Sequence, residues 1–382
     1  MRSTPGYSFI SVREEGLKIT IIGSGAIGGL AGSHMTRAGY DVVLVDQWKE
    51  HVEAMNARGL FIDGIRGEMT LPVRAITPDQ LPAYVEKTGP LEAVLIATKS
   101  QHTEGALRQI LPLVTPETFI VSFQNGFNEP VIADILSEAG LGGMERVVGS
   151  IPNYGGALVD PGYLEFVHEG PIQLGEMSTP EFTPRLLELA KMLESLTNIQ
   201  LSPNIWGQIW AKEVYSQQVV FSALADAPIH ETLGVERYAR IAGAVVREAL
   251  EIAEANGIKV EAFDFFDPAN YKPQTPDDTQ KLIANIQHAI WLLKKDQKPT
   301  QHEFKKKGSG IWWDIVYRKR PSEVGAMNGK LIEYGKKAGA DTRLVEKLAN
   351  MIFEIERGER QLGFHNYDEL EAYVRGIGKE LP

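Results

Sequence analysis

The segment from Lys18 to Asp46 decides the fold of this chain, and it reads KITIIGSGAIGGLAGSHMTRAGYDVVLVD. Four of its first five residues are β-branched, which is typical of a β-strand. A glycine-rich turn with the spacing G-x-G-x-x-G follows, then apolar residues at helical spacing, and then a second apolar run that ends in an acid. This order of strand, turn, helix, strand and acid predicts a βαβ unit that binds a dinucleotide.

The glycines of the turn have separate physical roles. Gly23 permits the tight turn, Gly25 lets a pyrophosphate approach the backbone, and Gly28 lets the helix pack closely on the strand. The helix N-terminus would hold the pyrophosphate, and Asp46 would accept hydrogen bonds from ribose hydroxyls. The predicted cofactor-binding residues of the turn are Gly23, Ser24, Gly25, Ala26, Ile27 and Gly28. The alternative is a tight strand–helix connection that holds no ligand.

The composition excludes several classes of protein. A chain of 382 residues has room for two domains, and a net charge of −11 without a long basic run argues against a nucleic-acid partner. Cysteine is absent, which excludes disulfides, thiolate metal sites and a cysteine nucleophile. We therefore expect no metal and a cytoplasmic location. No stretch reaches the ~18 apolar residues of a membrane-spanning helix, so we expect no membrane partner.

Beyond Asp46, predicted helices and strands alternate. We predict a helix over Lys49–Arg58, a buried strand over Leu91–Ala97, a helix over Thr103–Leu113 and a buried strand over Thr118–Ser122. This alternation is typical of a doubly wound α/β fold with a parallel sheet. Residues 147–176 contain three β-rich pieces, which we expect to form a small antiparallel extension of that sheet.

After Ser202 the pattern becomes helical, and we place a domain boundary near Pro203. The predicted organisation is an N-terminal extension over 1–16, a Rossmann-type dinucleotide-binding domain over 17–203 and a helical domain over 204–382. We expect a loop over Phe263–Pro276. The other predicted helices are Ile205–Leu224, Tyr238–Asn256, Pro276–Lys295, Ser322–Ala338 and Thr342–Glu356.

Polar clusters follow two of the predicted strands. Lys99 lies just after one strand, and Asn125 lies just after the next. Ligands of open α/β sheets bind outside the carboxyl ends of the strands, so both residues are candidates for the site. The alternatives are a solvated loop lysine and an Asn-Gly turn.

Several segments in order resemble the ketopantoate reductase family. They are the glycine turn, ATKSQ at 97–101, QNG at 124–126, IWAKEVYSQQ at 209–218 and SGIWWDIVYRKRPSEVGAMNG at 309–329. The resemblance spans residues 18 to about 356. It implies a Rossmann-type domain, an all-α C-terminal domain like that of 6-phosphogluconate dehydrogenase, and an active site between them.

The resemblance also implies roles for individual residues. Lys212 matches the family's catalytic lysine, which donates a proton to the carbonyl oxygen as hydride reaches the carbon; a cation there stabilises the nascent alkoxide. Glu323 matches a residue that orients the lysine and contacts substrate or cofactor, and Asn125 matches a group near the nicotinamide ribose and substrate. Lys99 resembles a cofactor-side lysine. The alternatives are a Lys212 that snorkels to the surface and a Glu323 that is only a helix-start acid.

The chain departs from the family where substrate binds. Ser216 and Val220 stand where the family has asparagines, and Ser309 or Gly310 stands at a substrate-binding serine. Sites that hydrogen-bond a substrate reject analogues strongly, so the lost polar groups predict a different substrate, an aromatic or longer keto compound. Ser216 and Gln217 or Gln218 would supply replacement donors.

The resemblance leaves the cofactor and the exact function open. The family mostly uses NADPH, whereas Asp46 favours NADH because it would repel a 2′-phosphate. We expect an NAD(P)H-dependent reductase of a 2-keto acid or related carbonyl that forms a homodimer. The alternatives are 2-dehydropantoate 2-reductase itself, a dinucleotide-binding sensor without catalysis, and the hydroxyisobutyrate and 6-phosphogluconate dehydrogenase group, whose glycine turn differs.

Overall fold

The structure is a computed structural model that describes residues 16–262, 266–272, 275–295, 303–305 and 308–382. The predicted N-terminal extension therefore lies almost entirely outside the described residues. The strands are β1 Ile19–Ile22, β2 Val42–Val45, β3 Leu60–Gly64, β4 Met69–Leu71, β5 Ala75–Ile76, β6 Ala93–Ile96, β7 Phe119–Ser122, β8 Val147–Pro152, β9 Gly155–Asp160, β10 Tyr163–His168, β11 Ile172–Glu176 and β12 Ile199–Leu201. The helices are α1 Ala26–Arg37, α2 Lys49–Arg58, α3 Leu81–Thr88, α4 Thr103–Ile110, α5 Glu129–Glu138, α6 Pro184–Leu193, α7 Ile205–Ser222, α8 Ile229–Thr232, α9 Glu236–Ala255, α10 Pro276–Lys295, α11 Gly310–Trp312, α12 Val324–Ala338, α13 Arg343–Glu356 and α14 His365–Gly376.

An eight-stranded sheet organises the first part of the chain. Its order is β12-β11-β8-β7-β6-β1-β2-β5, and its pairs are parallel except β8 with β11. Every residue of β1, β2, β6 and β7 is buried, as expected for strands covered by helices on both faces. The doubly wound fold predicted from the sequence is therefore present.

The order in which the strands are added to the sheet reverses at β1. The chain runs outward from β1 through β2 and β5, then returns to place β6 on the other side of β1. The turns that follow β1 and β6 are therefore neighbours, and Ala97 N–H donates to Ile22 O at 2.8 Å where the two strands end. In doubly wound sheets such a switch point is where ligands bind.

The prediction for residues 147–176 was wrong in two respects. The segment forms four strands, and only β8 and β11 join the large sheet. The strands β9 and β10 belong to a second sheet of order β4-β3-β10-β9. The burial pattern explains the division. All residues of β8 and β11 are buried, whereas buried and partly exposed residues alternate along β9, so β9 fits a sheet with one face toward the core.

Within the described residues, every strand lies before Ser202, and the regular elements from Ile205 onward are helical. We call residues 16–203 the N-terminal half and residues 204–382 the helical half; a domain boundary at Pro203 stays a prediction. All five predicted helices of the helical half are present within two residues of their predicted bounds, whereas α8, α11 and α14 were missed. In the predicted loop over 263–276, the described residues include a 3₁₀ turn at Pro268–Tyr271, and Tyr271 packs in the core.

Candidate active site

The glycine turn after β1 has the shape that its sequence predicts. Gly23 has φ +101°, and a Cβ added there would lie 2.9 Å from the carbonyl carbon and oxygen of Ala97. A Cβ on Gly28 would lie 2.1 Å from Gly23 O, so the helix can pack this closely only with glycine at that position. Both glycines are therefore required by protein packing, before any ligand is considered.

Gly25 is different, because nothing lies within 4 Å of a Cβ added to it. It is the N-cap of α1, no side chain caps that end of the helix, and the first turn has no acidic residue. The open space and the uncapped N–H groups of Ala26 and its neighbours form a cradle that fits a pyrophosphate. Ala26 and Ile27 belong to this first turn.

Asp46 lies beside the cradle and binds Ser24, the second residue of the glycine turn. One carboxylate oxygen accepts hydrogen bonds from Ser24 N–H and Ser24 Oγ, both at 2.8 Å, and the other accepts from Trp48 N–H at 2.9 Å. Ser24 is fully buried, so its side chain supports the turn. His51 also contacts Ser24. Its Nδ1 accepts from Gly162 N–H at 2.8 Å, so Nε2 carries the proton and donates to Ser24 O at 3.0 Å.

Lys99, after β6, is held by two carboxylates of the helical half. Its Nζ lies 2.6 Å from Glu323 Oε2 and 3.0 Å from Asp314 Oδ2. Burial alone would lower the pKa of Lys99, but these two carboxylates outweigh that effect and raise the pKa above its ordinary value. Glu323 Oε1 also accepts from Ser100 N–H at 3.2 Å. Lys99 and Glu323 thus form an ion pair that joins the two halves of the chain.

Breaking this ion pair should weaken the protein. Glu323→Ala is expected to lower the free energy of unfolding by about 1–3 kcal/mol, less than the ~3–5 kcal/mol for a fully buried pair, because Lys99 keeps Asp314. Since the pKa of Lys99 is raised, the stabilisation is complete below the ordinary lysine pKa and is lost as pH rises through the folded-state pKa. Thermal unfolding at neutral and strongly alkaline pH measures both effects.

The control for this variant is Glu323→Gln, which keeps an acceptor for Ser100 N–H and should lose less stability than Glu323→Ala. Equal unfolding temperatures for Glu323→Ala and the wild type at neutral pH would rule out a stabilising role for the pair.

The turn after β7 presents Asn125. Its backbone carbonyl accepts from Asn128 Nδ2 at 2.7 Å and from Ser100 Oγ. Its residue surface is exposed, whereas Gln124 and Gly126 on either side are buried. The backbone of the turn is therefore fixed, and the Asn125 side chain lies at the accessible edge of the sheet.

Lys212 lies on α7, the first helix of the helical half, and is half-buried. Its Nζ donates to Asn153 Oδ1 at 3.0 Å and lies 5.7 Å from the centre of the Tyr215 ring. Asn153 directly follows β8, the neighbour of β7. The ammonium group therefore lies at the carboxyl edge of the sheet, close in the fold to the turn that carries Asn125.

Two family models match this chain. "Ketopantoate reductase PanE/ApbA" matches residues 19–179, and "Ketopantoate reductase PanE/ApbA C terminal" matches residues 204–356. The chain belongs to the ketopantoate reductase family. Members of the family are oxidoreductases that act on the CH–OH/C=O pair of small keto acids and use NAD(P)H, so the predicted family and enzyme class are confirmed.

Individual relatives agree with the family. A 2-dehydropantoate 2-reductase of Pyrococcus horikoshii is 28% identical over 324 residues, 84% of this chain and 91% of the relative. The crystal structure of 2-dehydropantoate 2-reductase from Geobacter metallireducens has a TM-score of 0.69 at 24% identity, covering 88% of this chain and 99% of that one. The ternary structure of D-mandelate dehydrogenase with NADH and anilino(oxo)acetate has a TM-score of 0.70 at 19% identity, covering 90% and 99%. The predicted fold class, a Rossmann-type domain with a helical C-terminal domain, is confirmed.

The ketopantoate reductase resemblance predicted four substrate-binding residues, and the structure shows the local surroundings of each. Ser216 Oγ donates to Glu213 O at 2.8 Å, and Val220 is fully buried in the apolar core of the helical half. Ser309 Oγ accepts from Trp312 N–H at 3.1 Å and so caps α11. Gly310 has open space beside it. Val220 thus lies in packed core, and the roles of all four in substrate binding stay predictions.

The ketopantoate reductase resemblance predicted that Glu323 orients Lys212. The hydrogen bonds of Glu323 described above go to Lys99 and Ser100, and that of Lys212 goes to Asn153, so the orienting role stays a prediction. Sequence reasoning missed Ser100, His51 and Asn153. Ser100 was detectable, because it follows Lys99 at a strand end; the other two have no signal in the local sequence.

No helix in the described part of the chain has both the length and the apolar character needed to cross a bilayer. Among the same residues, no three histidine, aspartate or glutamate side chains converge as a metal site would require.

Proposed function

We propose that this chain is an NAD(P)H-dependent reductase of a 2-keto acid or related carbonyl compound, with Lys212 as the proton donor. The observation that carries the proposal is the 3.0 Å hydrogen bond from Lys212 Nζ to Asn153 Oδ1. It holds an ammonium group of the helical half at the sheet edge where the Gly25 cradle and Asn125 also lie.

The proposed mechanism assigns one task to each group. When bound, the nicotinamide supplies a hydride to the carbonyl carbon. The N-terminus of α1 would bind the pyrophosphate. The Lys212 amine would donate a hydrogen bond to the carbonyl oxygen, stabilise the negative charge that develops there and then transfer its proton to that oxygen. Asn125 would hold the substrate or the nicotinamide ribose through its exposed side-chain amide.

We propose an aromatic or otherwise apolar 2-keto acid as the substrate. Ser216 Oγ donates to Glu213 O, Ser309 Oγ accepts from Trp312 N–H, and Val220 carries no polar group. Near Lys212, the partly exposed Tyr215 supplies an aromatic ring, whose centre lies 5.7 Å from Lys212 Nζ. A neighbour with the same fold, D-mandelate dehydrogenase, was solved with anilino(oxo)acetate, an aromatic oxo acid, which supports this choice.

The test is NADH oxidation by purified protein with ketopantoate, pyruvate and phenylglyoxylate. We expect kcat/KM for phenylglyoxylate to exceed that for ketopantoate by about tenfold or more, because the polar contacts that would favour ketopantoate are missing. Faster turnover of ketopantoate would favour 2-dehydropantoate 2-reductase itself. NADH binding without oxidation across a broad keto-acid panel would contradict the enzyme and favour the sensor.

We propose NADH as the preferred cofactor, because the Asp46 carboxylate beside the cradle would repel a 2′-phosphate. Asp46→Ala should lower the ratio of kcat/KM with NADH to that with NADPH by about tenfold, or about 1.4 kcal/mol. The ratio matters because loss of the Ser24 hydrogen bonds should weaken both cofactors alike. Asp46→Asn, which keeps an acceptor without the charge, is the matched control. A wild type that strongly prefers NADPH would contradict the assignment.

We further propose a cytoplasmic homodimer formed through the helical half. The absence of cysteine fits a reducing compartment, and a structural neighbour, the ketopantoate reductase of Staphylococcus aureus, is described as dimeric. Analytical ultracentrifugation tests the dimer, and a monomer at micromolar concentration would contradict it.

A further inference from the structure

A hydrogen bond joins the helix of Lys212 to the turn of Asn125. Glu213, the residue after Lys212, accepts from the backbone N–H of Gly126, the residue after Asn125, at 2.9 Å. Each partner is the chain neighbour of a residue in the proposed mechanism. The bond therefore joins the two segments that carry the residues proposed to meet the substrate.

The turn itself is already fixed within the N-terminal half. Asn128 Nδ2 and Ser100 Oγ both donate to Asn125 O, and a Cβ on Gly126 would lie 3.1 Å from Ser100 Oγ. Since these contacts hold the turn, the bond to Glu213 is not needed for its shape. The next residue, Phe127, packs against Trp206 and Trp210 of α7, and the bond to Glu213 adds a directional polar contact to that packing.

A carboxylate is a costly choice for this connection. Glu213 is 1% exposed, and within the described residues its Oε2 has no hydrogen-bond partner. A neutral acceptor would satisfy Gly126 N–H with a smaller desolvation cost, so the charge itself calls for an explanation. Buried polar atoms without a hydrogen-bond partner are expected mainly at functional sites.

The charged groups around Glu213 come from three elements. They are Lys212 on α7 itself, Glu129 at the start of α5 and Glu323 just before α12. Burial raises the pKa of Glu213 to about 7, while the Gly126 hydrogen bond and Lys212 oppose that rise and the two carboxylates add to it. Burial likewise raises the pKa of Glu129 to about 7.

We propose that Glu213 is a positioning residue, whose hydrogen bond to Gly126 N–H holds Lys212 at the correct distance from Asn125 for proton transfer. The proposal rests on the proposed function, in which Lys212 donates the proton. Glu213 itself touches neither substrate nor cofactor in this account. Its ionised form makes a charge-assisted hydrogen bond, which is shorter and stronger than a neutral one.

The first test compares two substitutions. Glu213→Leu should lower kcat about 10- to 100-fold, the cost of misplacing a reacting group by about 1 Å, while the Kd for NADH changes by less than about threefold. Glu213→Gln retains an acceptor oxygen and should restore kcat to within about threefold of the wild type. A kcat for Glu213→Leu within about threefold of the wild type would overturn the proposal.

The second test is the pH dependence of kcat, which also decides the matter where Glu213→Leu does not fold. In the wild type kcat should rise between pH 6 and 8, because the ionised Glu213 accepts a stronger hydrogen bond from Gly126 N–H. The rise should be smaller in Glu213→Gln. It should be unchanged in Glu248→Gln, a buried glutamate that accepts from Leu344 N–H and Val345 N–H elsewhere in the helical half. An equal rise in Glu213→Gln and the wild type would overturn the proposal.

Different results would contradict the proposed function and the positioning role of Glu213. Full activity in Lys212→Met would reject the proposed function and with it the premise of the positioning role. An inactive Lys212→Met together with a fully active Glu213→Leu would reject the positioning role alone.

Discussion

Lys212→Met should lower kcat by about 10³-fold or more, within the range that general acid catalysis contributes, while NADH binds with nearly the wild-type Kd. The methionine keeps an apolar stem of similar length on α7 but removes the ammonium group that donates to Asn153 Oδ1. The carbonyl oxygen then has no cation to stabilise the alkoxide and no nearby proton. Steady-state kinetics with the best keto acid and NADH fluorescence titration measure the two quantities.

The matched control is Lys191→Met on α6, where the lysine is exposed and far in the chain from the strand-end turns. That variant should keep wild-type kcat. A Lys212→Met variant with more than about a tenth of the wild-type kcat would remove Lys212 from the chemistry and leave it a structural role, such as its hydrogen bond to Asn153.

Two glycine substitutions should separate the packing of the turn from its ligand site. Gly25→Ala places a methyl group in open space, so the folded protein should keep its stability, but the methyl would occupy the cradle proposed for the pyrophosphate. We expect the Kd for NADH to rise at least about tenfold, or about 1.4 kcal/mol. Gly28→Ala places its methyl 2.1 Å from Gly23 O, so it should lower the unfolding temperature as well as cofactor binding.

Calorimetry of cofactor binding and thermal unfolding of both variants make the comparison. Gly29 is not a suitable control, because its Cβ would also clash, whereas Gly105 on α4 has open space beside it and lies outside the turn. Gly105→Ala should leave cofactor binding unchanged, and it should not lower the unfolding temperature, because alanine is more favourable than glycine within a helix. If Gly25→Ala bound NADH as tightly as the wild type, the cradle would not be the pyrophosphate site.

The first βαβ unit was predictable because every local signal agrees. The β-branched run became β1, and the glycine spacing became a turn in which Gly23 and Gly28 admit no Cβ. The next helix, α2, has the predicted bounds. Each of these features depends on residues within a few positions of one another. The glycine turn and Asp46 were assigned to the cofactor from the sequence motif, whereas the catalytic roles were assigned by resemblance. The structure brings Lys212 and Asn125 to the same sheet edge without testing those roles.

The missed features depend on distant residues. The second sheet requires β10 to pair in parallel with β3, about a hundred residues earlier in the chain. The sequence of residues 147–176 alone does not indicate that pairing. The Lys99–Glu323 pair joins residues 224 positions apart. Glu213 was passed over because, within α7, it reads as an ordinary charged residue beside Lys212, and only the fold shows that it is buried.

The most direct test of the central claim is a crystal structure of the protein with NADH and a slowly reduced or inert 2-keto acid analogue. The account predicts that Lys212 Nζ lies about 2.6–3.2 Å from the oxygen of the keto group, with the pyrophosphate on the amides of Gly25 and Ala26. A keto group bound elsewhere, with Lys212 turned to solvent and another acid within hydrogen-bond distance of the keto oxygen, would contradict it.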